Sequence, residues 1–153
     1  MRFLILVFLS VFLAGCSAPK QFSYHNPQIN PPQIASLLEK VKEIEKQDFK
    51  NVRIETIAEN ELSSHHLVVI REKEPLHYHA NHDGWALVLK GEADFLLGKT
   101  SRLLRRGDMV YIPRGVPHQA TRRGREALAA FVIFTPPFDG KDTIPVENKD
   151  KKR

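Results

Sequence analysis

Gly107-Asp-Met-Val-Tyr-Ile-Pro113-Arg-Gly115-Val-Pro-His118 is the stretch whose reading decides the fold of this chain. Gly107 supplies a turn into a short apolar strand, Met109 to Ile112. Pro113 and Gly115 suit the second and fourth positions of a type I turn. Such a reversal would present His118 back across the mouth of a barrel. Further short runs of strand character lie on either side: Val52 to Ile57, Leu67 to Ile70, Trp85 to Lys90, Ala93 to Leu97, Ser101 to Leu104 and Ala127 to Phe134. Turn signals separate them, among them Gly98-Lys99, where Gly98 suits the first central position of a type II′ hairpin. Many short strands at close spacing predict an all-β sandwich or barrel.

Upstream stands His77-Tyr78-His79. Side chains alternate along a strand, so the two histidines face one side and two imidazoles there can chelate a single ion. Taken with the first stretch, this pair resembles the two motifs of the cupin family. The second motif, Gly-x5-Pro-x-Gly-x2-His, is matched by Gly107, Pro113, Gly115 and His118. At average usage of about 7% Gly and 5% Pro, such spacing arises by chance in roughly one chain in a thousand of this size. The first motif, Gly-x5-His-x-His-x3,4-Glu-x6-Gly, is matched by His77, His79 and Gly91. The resemblance covers residues 50–138 and implies a cupin-type jelly-roll β-barrel with His77, His79 and His118 as ligands of a divalent metal ion (Fe, Mn, Ni or Zn).

Two positions depart from the family pattern. The opening glycine is Arg71, and the usual carboxylate ligand is Gly84. Strand parity sets Gly84 on the inward face with Ala86 and Val88, and Asp83 on the outward face with Trp85, Leu87 and Leu89. A bulge at Gly84 would invert this, so Asp83 and His82 stand as alternative fourth ligands. His65 and His66 are adjacent and face opposite ways, and His25 lies outside the barrel. Tyr78, Tyr111 and Glu126 are candidate acid–base groups.

Three neutral imidazoles leave a divalent ion its full double positive charge, which favours a small anionic or chelating ligand at the open positions. Three-histidine sites occur among cupin dioxygenases, and with Zn(II), Ni(II) or Mn(II) a Lewis-acid isomerase is the natural alternative. Cupins also include metal- or metabolite-binding modules without turnover, and a metal-free interaction protein is a third possibility. The resemblance further suggests a homodimer paired through an edge strand.

At the other end of the chain, Arg2 precedes an apolar run from Phe3 to Ala14. The run is shorter than the roughly twenty residues that span a bilayer, and suits an export signal. It ends in Leu13-Ala14-Gly15-Cys16, which resembles the lipobox of bacterial lipoproteins, and Cys16 is the single cysteine of the chain. The resemblance implies removal of residues 1–15 and lipidation of Cys16. The protein would be held at the cell envelope outside the cytoplasm; with Ser17 and no Asp after the cysteine, the outer membrane is its destination in a double-membraned cell. Residues 16–32, rich in Pro, Asn, Gln and Ser, read as a tether. Residues 33–48 read as an amphipathic helix, with Ile34, Leu37, Leu38, Val41 and Ile44 on one face, laid against the barrel. Residues 49–138 form the barrel and 139–153 a polar tail.

The chain has 153 residues, room for one domain, and a formal charge of +5. Arg102, Arg105, Arg106, Arg114, Arg122, Arg123 and Arg125 gather around the second motif. They read as a solvated edge that discourages sheet-to-sheet pairing. With no aromatic residues interleaved, and with export expected, nucleic acid is not an expected partner.

Overall fold

The computed structural model describes residues 36–146. The expected signal segment 1–15, the Cys16 lipidation site, the tether 16–32, the helix start at 33–35 and residues 147–153 lie outside the described residues.

One helix, α1 (Leu37–Glu45), is followed by ten strands: β1 (Val52–Glu59), β2 (Ser64–Ile70), β3 (His77–Tyr78), β4 (Asp83–Lys90), β5 (Glu92–Leu97), β6 (Thr100–Arg105), β7 (Met109–Ile112), β8 (His118–Arg123), β9 (Leu128–Thr135) and β10 (Ile144–Pro145). They form two five-stranded sheets, ordered β1-β2-β9-β4-β7 and β10-β3-β8-β5-β6, with antiparallel pairing throughout the described ladders. This is the expected jelly roll. Its core lies between the sheets: Ile70, Ala86, Val88, Ile112, Val132 and Phe134 come from one, and Ala93, Phe95 and Ala120 from the other. Alternation decides which residues enter, as along β4, where Gly84, Ala86 and Val88 are buried and Trp85 is exposed.

The helix begins at Ser36, whose Oγ accepts the Glu39 amide. It sinks Val41 and Ile44 into a second apolar cluster with Leu67, Val69 and Ala129 on the outer face of the β2–β9 sheet. Successive residues of β2 therefore serve two cores. Leu67 and Val69 meet the helix, while Val68 and Ile70 line the barrel interior. His65 and His66 divide the same way, His66 buried against Phe134 and Phe138 and His65 beside Phe131.

The β5–β6 hairpin has the expected two-residue loop, with Leu97 opposite Thr100. Gly98 has φ +58° and no described non-glycine residue has positive φ, the combination of a type II′ turn. The turn after β7 differs from expectation. Val116 N–H donates to the Pro113 carbonyl at 3.2 Å and Gly115, third in the turn, has φ +75°, the sign required by a type II turn over Pro113–Val116.

The expected polar tail from residue 139 also needs correction. β10 pairs with β3, and Val146 N–H donates to the Leu76 carbonyl at 3.0 Å. Within the polar stretch 139–143, Asp139 accepts the Lys141 amide and Asp142 accepts the Ala80 and Asn81 amides, so the segment is tied to the barrel.

Candidate metal centre

His77 opens β3 and is the register partner of His118, the first residue of β8. This antiparallel β3–β8 pairing sets the rings side by side, with centroids 4.3 Å apart. His79 follows β3 directly; its ring lies 5.0 Å from His77 and 5.2 Å from His118. All three side chains are buried, and one ligand atom from each lies within 4.8 Å of the other two. The three rings drawn from distant stretches thus converge, as expected.

Their orientation has one cause repeated three times. Nδ1 of His77 meets the Pro75 carbonyl at 2.8 Å, Nδ1 of His79 the Asp142 carbonyl at 2.5 Å, and Nδ1 of His118 the Val116 carbonyl at 3.0 Å. A carbonyl only accepts, so each Nδ1 carries the proton and donates it. Each Nε2 is left with its lone pair, and the three rings line one cavity. Burial pushes His118 down to about 4 and lowers His77 and His79, so all three rings are neutral at pH 7. Three neutral nitrogen donors, each oriented by an outer carbonyl, fit a divalent borderline metal.

The loop 139–143 completes the site from behind. The Asp142 carboxylate accepts the Ala80 amide at 3.0 Å, the Asn81 amide at 2.8 Å and Nδ1 of His82 at 2.6 Å. Burial alone would raise its pKa, but these donors hold it below the usual carboxylate range. On the other side, the His79 carbonyl accepts the Gly115 amide at 2.6 Å. That bond draws the Gly115 amide away from the Ile112 carbonyl that a type I turn would have used.

The Cupin domain model matches residues 66–134, a span that contains all three histidines. An uncharacterized protein of Aquifex aeolicus (strain VF5) is 36% identical over 118 residues, which are 77% of this chain and 96% of that one. The chain belongs to the cupin superfamily. Solved structures agree on the fold of this cupin. An uncharacterized conserved protein with a double-stranded beta-helix domain from Klebsiella pneumoniae subsp. pneumoniae MGH 78578 superposes with a TM-score of 0.62 at 20% identity, over 76% of this chain and 99% of that one. An RmlC-like cupin from Shewanella frigidimarina NCIMB 400 does so at 0.54 and 18% identity, over 61% and 84%.

Both departures from the cupin pattern have structural reasons. Arg71 donates to the carbonyls of Phe49 at 2.6 Å, Gln47 at 3.0 Å and Glu45 at 3.3 Å, and its guanidinium stacks 3.9 Å over the Phe49 ring. It satisfies the carbonyl end of α1 and ties that helix to the barrel, a task no glycine performs. At the carboxylate position, a Cβ on Gly84 would sit 3.3 Å from Cε1 of Phe134, its register partner. The aromatic ring of Phe134 occupies the space that a longer side chain would need.

Neither alternative fourth ligand joins the cluster. Gly84 pairs regularly with Ile112 and Phe134, so no bulge inverts the strand and Asp83 stays outward. Its carboxylate meets the Arg114 amide at 2.9 Å and guanidinium at 2.6 Å, which bring its pKa down to about 2. His82 is buried, but Nδ1 faces the Asp142 carboxylate and Nε2 the Pro137 carbonyl at 3.1 Å. Both nitrogens face these oxygens of the 137–142 segment, and neither is among the atoms that converge in the His77, His79 and His118 cluster. Tyr111 stacks on Trp85 on the outer face, and Glu126 faces a groove beside α1. Neither these two nor Tyr78 lines the histidine cavity. Arginines around the second motif are taken up in part by exposed ion pairs, Arg105 with Glu92 and Arg123 with Asp94, besides Arg114 with Asp83.

Two residues of the site carried no recognisable signal. Asp142 lies 63 positions from His79 in a polar stretch. Glu74 lies on the cavity wall and is the only carboxylate among its described lining residues. Glu74 N–H donates to the Ala120 carbonyl at 3.1 Å, and Ala120 N–H returns a bond to Glu74 Oε1 at 2.6 Å. Burial pushes the Glu74 carboxyl up to about 7 against that bond.

Proposed function

We propose that this cupin holds one divalent metal ion on His77, His79 and His118, and binds a small anionic or chelating molecule at the ion's open positions. The observation that carries this reading is the set of three Nδ1–H groups committed to backbone carbonyls, which leaves three neutral Nε2 atoms for one ion. With no carboxylate among the ligands, the bound ion keeps its full double charge and attracts an anionic oxygen donor. Such an ion supplies Lewis-acid polarisation or, if it is iron, a place for dioxygen beside a chelating substrate. The chain's own residues hold the rings in the ligating tautomer and exclude bulk water with Phe134 and Phe138, whose rings pack 5.0 and 5.2 Å from His79. The full protein is a lipoprotein anchored to the envelope through Cys16, a reading supported by the Leu13-Ala14-Gly15-Cys16 sequence after an apolar run.

Elemental analysis of purified protein tests the metal site. The expected result is one metal per chain, with affinity at least about tenfold lower in His79→Ala. An unchanged metal content in that variant overturns the ligand set. Oxygen uptake by the iron-loaded protein across a panel of chelating metabolites separates a dioxygenase from a binding module. Membrane fractionation of Cys16→Ser tests the anchor; a variant that still partitions with membranes overturns it.

A further inference from the structure

The cavity bounded by the three histidines has a volume of about 170 Å3. Beyond the rings its wall is almost entirely hydrocarbon, with Ile54, Val68, Val88, Phe95, Leu104 and Val132 drawn from both sheets. The carboxylate position is replaced by the edge of the Phe134 ring, which removes the polar group a cupin would usually place there. The wall's one remaining acid is Glu74. It bonds to Ala120, two residues along β8 from His118, and so stands ~7 Å along the strand from the histidine cluster. Among the described residues its Oε2 has no protein partner, yet no buried side-chain polar atom is left unsatisfied, so Oε2 opens onto free space.

A cavity of roughly 150 Å3 lined by aliphatic side chains is large enough for a benzene ring. A sugar or a polycarboxylate would bring many hydroxyl or carboxylate groups against this wall, each desolvated without a partner. Polar side chains on the lining are few: the three histidines, Glu74 and Thr143. We propose that the ligand of this site is a small molecule with a largely hydrocarbon body, about the size of one ring, and a single oxygen-bearing chelating head at the histidines. This rests on the metal-site reading above. Glu74 supplies the one carboxyl group on the wall, and the ligand's body lies among Val88, Phe95 and Val132.

Two probes share a head and differ in body: benzohydroxamate and acetohydroxamate. Their affinities for the full-length, zinc-loaded protein are measured by calorimetry, each relative to its affinity for aqueous zinc. The expected result is a preference of at least about tenfold for benzohydroxamate, from burial of the phenyl ring. Ala86→Leu, which adds carbon atoms on the inward face of β4, should cut that preference to about twofold or less with zinc still at one per chain. Equal affinities in the wild-type protein with one zinc bound overturn the inference and leave the metal site standing. A preference that persists in Ala86→Leu places the ring outside the cavity and also overturns it. A chain that binds no zinc overturns both readings. Should Ala86→Leu fail to fold, the wild-type comparison decides alone.

Discussion

Asp142 holds the ring of His79: its backbone carbonyl accepts the His79 Nδ1–H at 2.5 Å. The same residue's carboxylate gathers the next two amides and the ring of His82, so one side chain fastens the loop that aims a metal-ligating histidine. Asp142→Ala frees that loop without touching a ligand. Its metal affinity should fall by about 10–100-fold, measured by competition with a chelator, while far-ultraviolet dichroism stays unchanged. Undiminished affinity would show that β3 and β8 alone orient the ring.

His82 and His118 are both buried histidines, and the geometry gives them different tasks. His82→Gln should still take up one metal per chain at saturation, with affinity reduced less than about tenfold. His118→Ala should lose at least about tenfold. Titration of the two variants with zinc distinguishes them; equal losses would mean that His82 turns inward to ligate.

Glu74 sets a pH dependence that can be isolated by difference. Its folded carboxyl is raised from 4.5 to about 7, so its stabilising contribution is complete below pH 4.5 and lost as pH rises through 7. His66 works in the opposite sense: burial, aided by His65, lowers it from 6.5 to about 4, so its contribution is present above pH 6.5 and lost as pH falls through 4. Urea unfolding of metal-free wild type and Glu74→Gln across pH 4 to 8 removes the His66 effect, which both share. Relative to wild type, the variant should gain stability between about pH 4.5 and 7, reaching on the order of 3 kcal/mol above pH 7. A constant difference over that range would remove the buried-acid assignment.

Gly91 should be the least replaceable of the turn glycines. Its φ is +75°, and a Cβ there would lie 2.6 Å from the Ala127 carbonyl oxygen. Gly124, at φ +70°, has nothing within 4 Å of its would-be Cβ. Gly91→Ala should therefore cost about 2–4 kcal/mol and Gly124→Ala about 1 kcal/mol, read from urea midpoints. Similar costs at both positions would mean that the Ala127 backbone yields easily.

Much of the site was legible because its defining features are local. Gly107, Pro113, Gly115 and His118 lie within one twelve-residue turn–strand–turn stretch, and His77 with His79 share one face, so their spacing alone carries geometry. Strand parity from Gly84 to Val88 placed Asp83 outward because period-two alternation survives wherever pairing is regular. The helix was legible because Val41 and Ile44 recur at helical period against a polar face. The turn type at Gly115 was not, since it depends on a hydrogen bond to the His79 carbonyl, made across the barrel.

By itself, the amino-acid sequence determined the jelly-roll class, the three histidines, and the absence of a carboxylate at position 84. Only the tertiary structure decided what replaces that carboxylate, which acid faces the cavity, and which carbonyl aims each ring. Periodicity and turn chemistry act over a few residues and are written in order along the chain. Phe134 filling the space beside Gly84, Asp142 bonding His79, and Glu74 bonding Ala120 are each contacts between segments about fifty residues or more apart. Such contacts exist only after the two sheets close on one another.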